Sequence, residues 1–209
     1  EILDEVGLDY EEADGEAAFY GPKLDLQMKN VHGKEDTLIT VQIDFALPER
    51  FKMNYVDKDG QKKLPYVIHR TSIGCYERTL AILIEKYAGA MPLWISPVQV
   101  KLLPLSEKYQ EYAESVLAKM KKKGIRVELD DRNEKVGYKI REARNERVPY
   151  FVVLGEQEME TKTLSVTSRE NEDEGKISMD DFIERIVEED KTRYNYHETL
   201  KQRAKEEAK

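Results

Sequence analysis

A single cysteine, Cys75, in 209 residues leaves no partner for an internal disulfide, so whatever holds this chain together has to be a packed core. Histidine is nearly as scarce, at His32, His69 and His197. One thiol and three scattered imidazoles cannot be argued into a complete zinc site, which needs about three protein ligands. Long apolar runs are missing too. None approaches the roughly 20 residues of a membrane span or has the layout of a signal peptide, so a reducing, cytoplasmic setting is expected. No Met stands at the start, and the stretch opening at Glu1 is charged, which points to a segment of a longer protein. The chain also lacks internal repeats and low-complexity tracts.

Apolar residues make up 40% of the chain, enough for a core, and the length suits one large or two ordinary domains. The net charge of −8 is distributed unevenly. Between Lys119 and Arg147 eleven Lys or Arg stand against six Asp or Glu, so a basic patch sits on an acidic body. A solvated helix pair would carry such charge for solubility alone, and a phosphate-contacting face would carry it for binding. Charge by itself leaves both open.

The apolar pattern divides the chain near Trp94. Residues 17–29 and 38–46 alternate like strands, and Asp57, Asp59 and Gly60 punctuate a hairpin turn before a further strand from Leu64 to Ser72. Leu80, Leu83, Ile84 and Tyr87 then recur at helical spacing until Gly89, predicting a helix that packs across an antiparallel sheet. The run "MPLWISP", with two prolines and the only Trp, reads as a pinned linker. Beyond it strands and helices alternate: a buried strand over 98–104, and a helix capped by Ser106 with a stripe from Tyr109 to Met120. Strands at 125–129, 150–154 and 163–167 and a helix near 134–144 follow, then a final helix from Met179 with Ser178 and Asp181 at its start. That half predicts a small mixed α/β domain ending near residue 190, followed by a charged extension over 191–209.

The stretch "YVIHRTSIGCYERTLAILIEKY" reads as a strand that stops at Gly74 and turns into a helix carrying Arg78 in its first turn. Backbone N–H groups and the positive end of the helix dipole favour an anion there. Arginines at helix starts are equally common as plain surface residues, and a lone His69 on an alternating strand equally suits a hydrogen-bonded structural role.

Several blocks in order, "EAAFYGPKLDLQ", "TVQIDFALPERF", "YVIHRTSIGCYER", "PLWISPVQV", "RVELDDRNEKVGYKIREARNERVPY" and "VVLGEQEME", resemble the C-terminal third of threonyl-tRNA synthetases from about Glu16 to Asp190. The resemblance implies an α+β antiparallel remnant of a class II catalytic core over 1–94, followed by a mixed α/β anticodon-binding domain over 95–190. It implies a ligase that makes threonyl-adenylate from threonine and ATP with Mg2+, then charges tRNA(Thr), and an intact enzyme that is a homodimer. Arg78 corresponds to the arginine on the ATP γ-phosphate, a task for an always-charged bidentate donor. His69 corresponds to a ligand of the active-site Zn2+, whose other ligands lie on segments outside this chain. Tyr20, Lys23 and Gln42 correspond to residues lining the site, with the strand alternation expected to point them to one sheet face. Asn133, Arg141 and Glu158 correspond to readers of anticodon bases. Lacking the segments with the first two class II motifs, the chain is expected to be inactive alone. The alternative is a non-catalytic RNA-binding module derived from a synthetase. Three places depart from the family pattern: Cys75 replaces a serine, residues 36–39 differ from the usual run, and Thr167 stands in place of an anticodon-contacting arginine, so that one base contact is either lost or taken over by Arg169.

Overall fold

A computed structural model describes residues 2–169 and 173–193, and the chain divides into two units, Glu1–Lys86 and Tyr87–Lys209.

In the first unit a short helix α1 (Ile2–Val6) precedes β1 (Lys23–Lys29) and β2 (Glu35–Asp44), which pair antiparallel across a turn held by Asn30, whose Oδ1 accepts the N–H groups of His32 and Lys34. A one-turn helix α2 (Ala46–Arg50) and a small hairpin, β3 (Tyr55–Val56) with β4 (Lys62–Lys63), follow; Asp57, Asp59 and Gly60 do form its turn. Then come β5 (Val67–Arg70), which completes the sheet in the order β1-β2-β5, and the helix α3 (Tyr76–Tyr87). The expected packing of α3 across this sheet is not realised. The helix buries only Ile82, leaving Tyr76, Leu80 and Ile84 exposed. It is tied to β2 by its entry: Gly74, at φ +72°, comes so close to the Leu38 carbonyl that a Cβ would lie 2.2 Å from its oxygen.

The second unit closes around a core. It opens on a 3₁₀ turn at Leu93–Ile95, then β6 (Val100–Pro104), a second 3₁₀ turn at Glu107–Tyr109, α4 (Gln110–Lys122), β7 (Val127–Leu129) and α5 (Val136–Asn145). There follow β8 (Tyr150–Leu154), α6 (Glu156–Thr161), β9 (Thr163–Ser168), β10 (Asp173–Ser178) and α7 (Met179–Thr192). The sheet order is β10-β9-β8-β6-β7, with β7, β6 and β8 parallel and β9 and β10 antiparallel. Strand alternation sends Val100, Leu102 and Val152 to one face, where they meet Val116 and Met120 of α4 and Phe182 and Ile186 of α7. Leu103 and Phe151 go to the other, against Ala143 of α5.

The caps separate two similar sequence signals. Ser178 accepts the N–H of Asp181 at 3.2 Å, as the sequence predicts, whereas Ser106 makes no side-chain cap because the chain enters a 3₁₀ turn before α4 begins. The charged extension falls mostly outside the described residues, although Lys191 and Thr192 still belong to α7. None of the described helices is long and apolar enough to cross a membrane.

Candidate functional site

The pairing registers of the first sheet set three predicted residues side by side. Lys23 lies opposite Gln42, and Gln42 opposite His69, so one row crosses β1, β2 and β5. Directly opposed residues share a sheet face, and the period of two adds Asp25, Thr40 and Asp44 to it. This face is polar, while Leu24, Leu26, Val41, Ile43 and Ile68 occupy the reverse. Tyr20 reaches the same row from the segment before β1: its hydroxyl donates to Gln42 Oε1 at 2.7 Å. The chain can pass so close there because residue 21 is glycine, and a Cβ on it would sit 2.1 Å from the Ile43 carbonyl oxygen.

Tyr20, Gln42, Asp44 and His69 line an open pocket of about 420 Å³, walled by Phe19, with Arg50 stacked 5.7 Å from its ring centre, and by Leu47. His69 Nε2 lies 3.0 Å from Asp44 Oδ2, and Asp44 Oδ1 accepts the N–H groups of Ala46 and Leu47 at 2.9 Å. Burial pushes the Asp44 carboxyl up, but those N–H groups and His69 outweigh it and hold the acid below the usual carboxylate range. With Asp44 ionised, Nε2 is the donor of this contact. Asp44 was not singled out from the sequence. Its signal was there, since in "TVQIDF" it follows Gln42 by two and therefore shares its face.

Lys23 is engaged beside this pocket, with Nζ 2.6 Å from Asp25 Oδ2; Asp25 also accepts the Thr40 hydroxyl at 2.8 Å. Arg78 lies outside the pocket lining. Its guanidinium donates to the Thr37 carbonyl at 3.1 Å, five residues along β2 from Gln42, which at strand rise is about 17 Å from the His69 row. Cys75 is exposed at the start of α3, with its thiol 2.9 Å from Glu77 Oε2. Among the described residues no three of His, Cys, Asp and Glu gather into a metal-binding group, so His69 offers a single imidazole donor.

In the second unit Asn133 lines a polar pocket of about 340 Å³ outside the carboxyl ends of β6 and β7, whereas Arg141 and Glu158 do not. Arg141 lies on α5 with its guanidinium 5.2 Å from the Tyr138 ring centre. Glu158, near the start of α6, is buried, and both oxygens are already engaged, Oε2 by the Gly155 N–H at 3.0 Å and Oε1 by the Ser165 hydroxyl at 2.8 Å. Burial pushes its pKa up, and the Ser165, Gly155 and Lys176 contacts more than reverse that, leaving the carboxyl below its ordinary range. Thr167 is on β9; Arg169 donates to the carbonyls of Met91 at 2.7 Å and Arg147 at 3.4 Å.

Comparison with known proteins is consistent in both halves. A family model described as the tRNA synthetase class II core domain (G, H, P, S and T) matches residues 1–87, and one described as an anticodon binding domain matches residues 99–189. The chain is 65% identical over 195 residues to a threonine–tRNA ligase of Clostridium perfringens, covering 93% of this chain and 30% of that protein. It is 50% identical over 188 residues to one of Listeria welshimeri, covering 90% of this chain and 29% of that protein. It thus spans about 30% of the length of the curated relatives it matches. A crystal structure of the RNA binding domain of threonyl-tRNA synthetase from Cryptosporidium parvum superposes with a TM-score of 0.78 at 33% identity, covering 89% of this chain and 47% of that one.

Proposed function

The chain belongs to the class II aminoacyl-tRNA synthetases, as a core segment followed by an anticodon-binding domain, and from that premise we propose that it serves a threonine–tRNA ligase. Within that longer, cytoplasmic and homodimeric enzyme it supplies part of the threonine and ATP site and the anticodon grip on tRNA(Thr). The observation that carries this reading is the cross-strand row Lys23–Gln42–His69, whose Gln42 and His69 share one pocket with Tyr20 and Asp44, in a chain 65% identical to a threonine–tRNA ligase of Clostridium perfringens.

Each group has a task its chemistry suits. His69, oriented by Asp44, fits as one donor to Zn2+, and further donors come from outside the described residues. When bound, that ion supplies a Lewis acid for threonine's amino and hydroxyl groups, which excludes valine for want of the hydroxyl. Tyr20 and Gln42, hydrogen-bonded to each other, give the pocket donors and acceptors for substrate, and Lys23 gives it positive charge beside them. Arg78 holds the ATP phosphates with Mg2+, its guanidinium anchored on the Thr37 carbonyl of β2. Asn133 and Arg141 meet unpaired bases and Glu158 supports α6, while the lysines of α4 hold phosphates without choosing sequence.

The test is Arg78→Ala and His69→Ala in the longer protein. Arg78→Ala is expected to lower ATP–pyrophosphate exchange roughly 100-fold with anticodon stem-loop affinity unchanged. His69→Ala is expected to lower bound zinc. Equal loss of exchange and RNA affinity, or unaltered zinc stoichiometry, overturns these assignments. One observation favours the second reading, a non-catalytic RNA-binding module: only the unit from Tyr87 onward has a closed core. ATP–pyrophosphate exchange by the 209-residue chain alone, at background, is expected under both readings, whereas activity of the longer protein belongs to the first.

A further inference from the structure

The pocket at the carboxyl ends of the parallel strands β6 and β7 has a floor more rigid than its loop position suggests. Lys139 is 3% exposed and donates to the carbonyls of Asp130 at 2.8 Å and Pro104 at 3.5 Å, so one buried ammonium stitches the chain just past both strand ends. Asp130, 4% exposed, points its carboxylate the other way, at Arg132: Oδ1 accepts from Nε at 2.8 Å and Oδ2 from Nη2 at 2.6 Å. The Arg132 contact and the Lys139 charge hold the Asp130 carboxyl well below its usual range, so the fork stays closed at any physiological pH. Two of the three guanidinium nitrogens are committed, the plane is fixed, and the Tyr138 ring centre lies 5.6 Å from its centre on one side of an Arg132–Tyr138–Arg141 cluster. Yet Arg132 is exposed and lines the pocket beside Asn133. An arginine that only stabilised the loop would gain little from lining a cavity with an exposed guanidinium fixed at two nitrogens. A flat, pre-set guanidinium does suit a splayed base, which stacks on such planes without regard to its identity.

We propose that Arg132 is a further RNA-contacting residue of this unit, its guanidinium plane the shelf on which an unpaired anticodon-loop base stacks next to Asn133, and that Asp130 is the positioning residue that sets the shelf. This deepens the anticodon-binding reading and rests on it. Asn133 then reads an edge of a base whose face is already held, which divides affinity from selectivity between neighbouring residues.

The experiment titrates the 209-residue chain with an anticodon stem-loop RNA carrying 2-aminopurine in the loop, for the unaltered chain, Arg132→Lys, Asp130→Asn and Tyr138→Phe. Arg132→Lys keeps the charge and loses the plane. It is expected to weaken binding about tenfold or more and to abolish the stacking-dependent fluorescence quench at one loop position, with an unchanged salt slope. Asp130→Asn is expected to reproduce that loss of quench with the guanidinium still present, and Tyr138→Phe to leave both readings unaltered. Full affinity and full quench in Arg132→Lys would mean that a point charge suffices and would overturn the proposal. A loss in Asp130→Asn that follows a fallen melting temperature, with Arg132→Lys unaffected, would overturn it equally. If the unaltered chain binds scrambled loops as tightly as the anticodon loop, it is the anticodon reading that fails; if it discriminates and Arg132→Lys discriminates and quenches the same, only the shelf fails.

Discussion

Two units of one chain, each with five described strands, handle their apolar residues in opposite ways. From Tyr87 onward, β6 and β8 are sandwiched between α4 and α7 on one side and α5 on the other, and side chains such as Leu102, Met120, Val152 and Phe182 are wholly buried. Before Tyr87 the sheet has two open faces. One is polar and carries the pocket; the other shows Leu26 and Ile68 to solvent, while Phe19, Phe51, Tyr66 and Tyr76 are each more than 70% exposed around it. Exposed aromatics in that density are surface awaiting cover. The difference teaches that the sheet carrying the pocket presents apolar residues it does not itself cover, whereas the second unit carries its own core.

Separating the two units is the most direct way to break that comparison. A fragment of residues 87–209 is expected to unfold cooperatively in urea, while residues 1–86 alone are expected to bind a hydrophobic dye and show no transition. Cooperative unfolding of the isolated first unit would show that its exposed faces are self-sufficient. Next in size, Phe182→Ala, which empties a site of zero exposure, is expected to cost about 3–5 kcal/mol in urea unfolding. Ile82→Ala, the corresponding change at the one buried apolar side chain of α3, is expected to cost well under half of that, because it has few neighbours to lose.

The smallest effect sharpens the contrast through pH. Glu189 of α7 is buried beneath Tyr150, whose hydroxyl lies 3.0 Å from its Oε2, and burial pushes the carboxyl up to about 7 despite that bond and nearby Arg185. A raised folded-state value means the native protein binds the proton more tightly than the unfolded chain. Its contribution is therefore full below the ordinary value near 4.5 and is lost as pH rises toward 7. Glu189→Gln is expected to remove this dependence and to raise the unfolding free energy at pH 8 by on the order of 1–2 kcal/mol, read as a higher melting temperature. A parallel pH profile for variant and parent between 4.5 and 7 would count against the buried acid as its source.

The same contrast explains what the sequence disclosed. In the closed unit, burial on both faces writes itself as continuous apolar runs, and "YFVVL" gives β8 to the residue. Two elements there escaped. α6 has six residues, too few to show a helical period, and β10, "DEGKIS", has no apolar alternation because it forms by pairing with β9 at the sheet edge. In the open unit the strands alternate and were legible, but the packing of α3 was not. Its stripe at Leu80, Leu83 and Ile84 records a partner without saying which. At the sites, Gln42 and His69 share one pocket through strand pairing, whereas Tyr20 reaches it from a turn before β1 and not by strand alternation. Asp44 and the Asp130–Arg132 fork went unread, since a carboxylate that aims another side chain looks, in sequence, like any surface acid.

The row formed by Lys23, Gln42 and His69 exists only through cross-strand pairing, and that has a consequence for how such a chain tolerates change over generations. The hairpin β3–β4 can lengthen or shorten, because none of its residues lines the pocket, whereas α2 before it supplies Ala46 and Leu47 to Asp44. A single residue gained or lost within Val67–Arg70, by contrast, would turn the imidazole to the underside of the sheet while leaving every amino acid type in place. An indel in the hairpin leaves the row in register and one in β5 dismantles it, so the pocket is held as a count of residues along a strand.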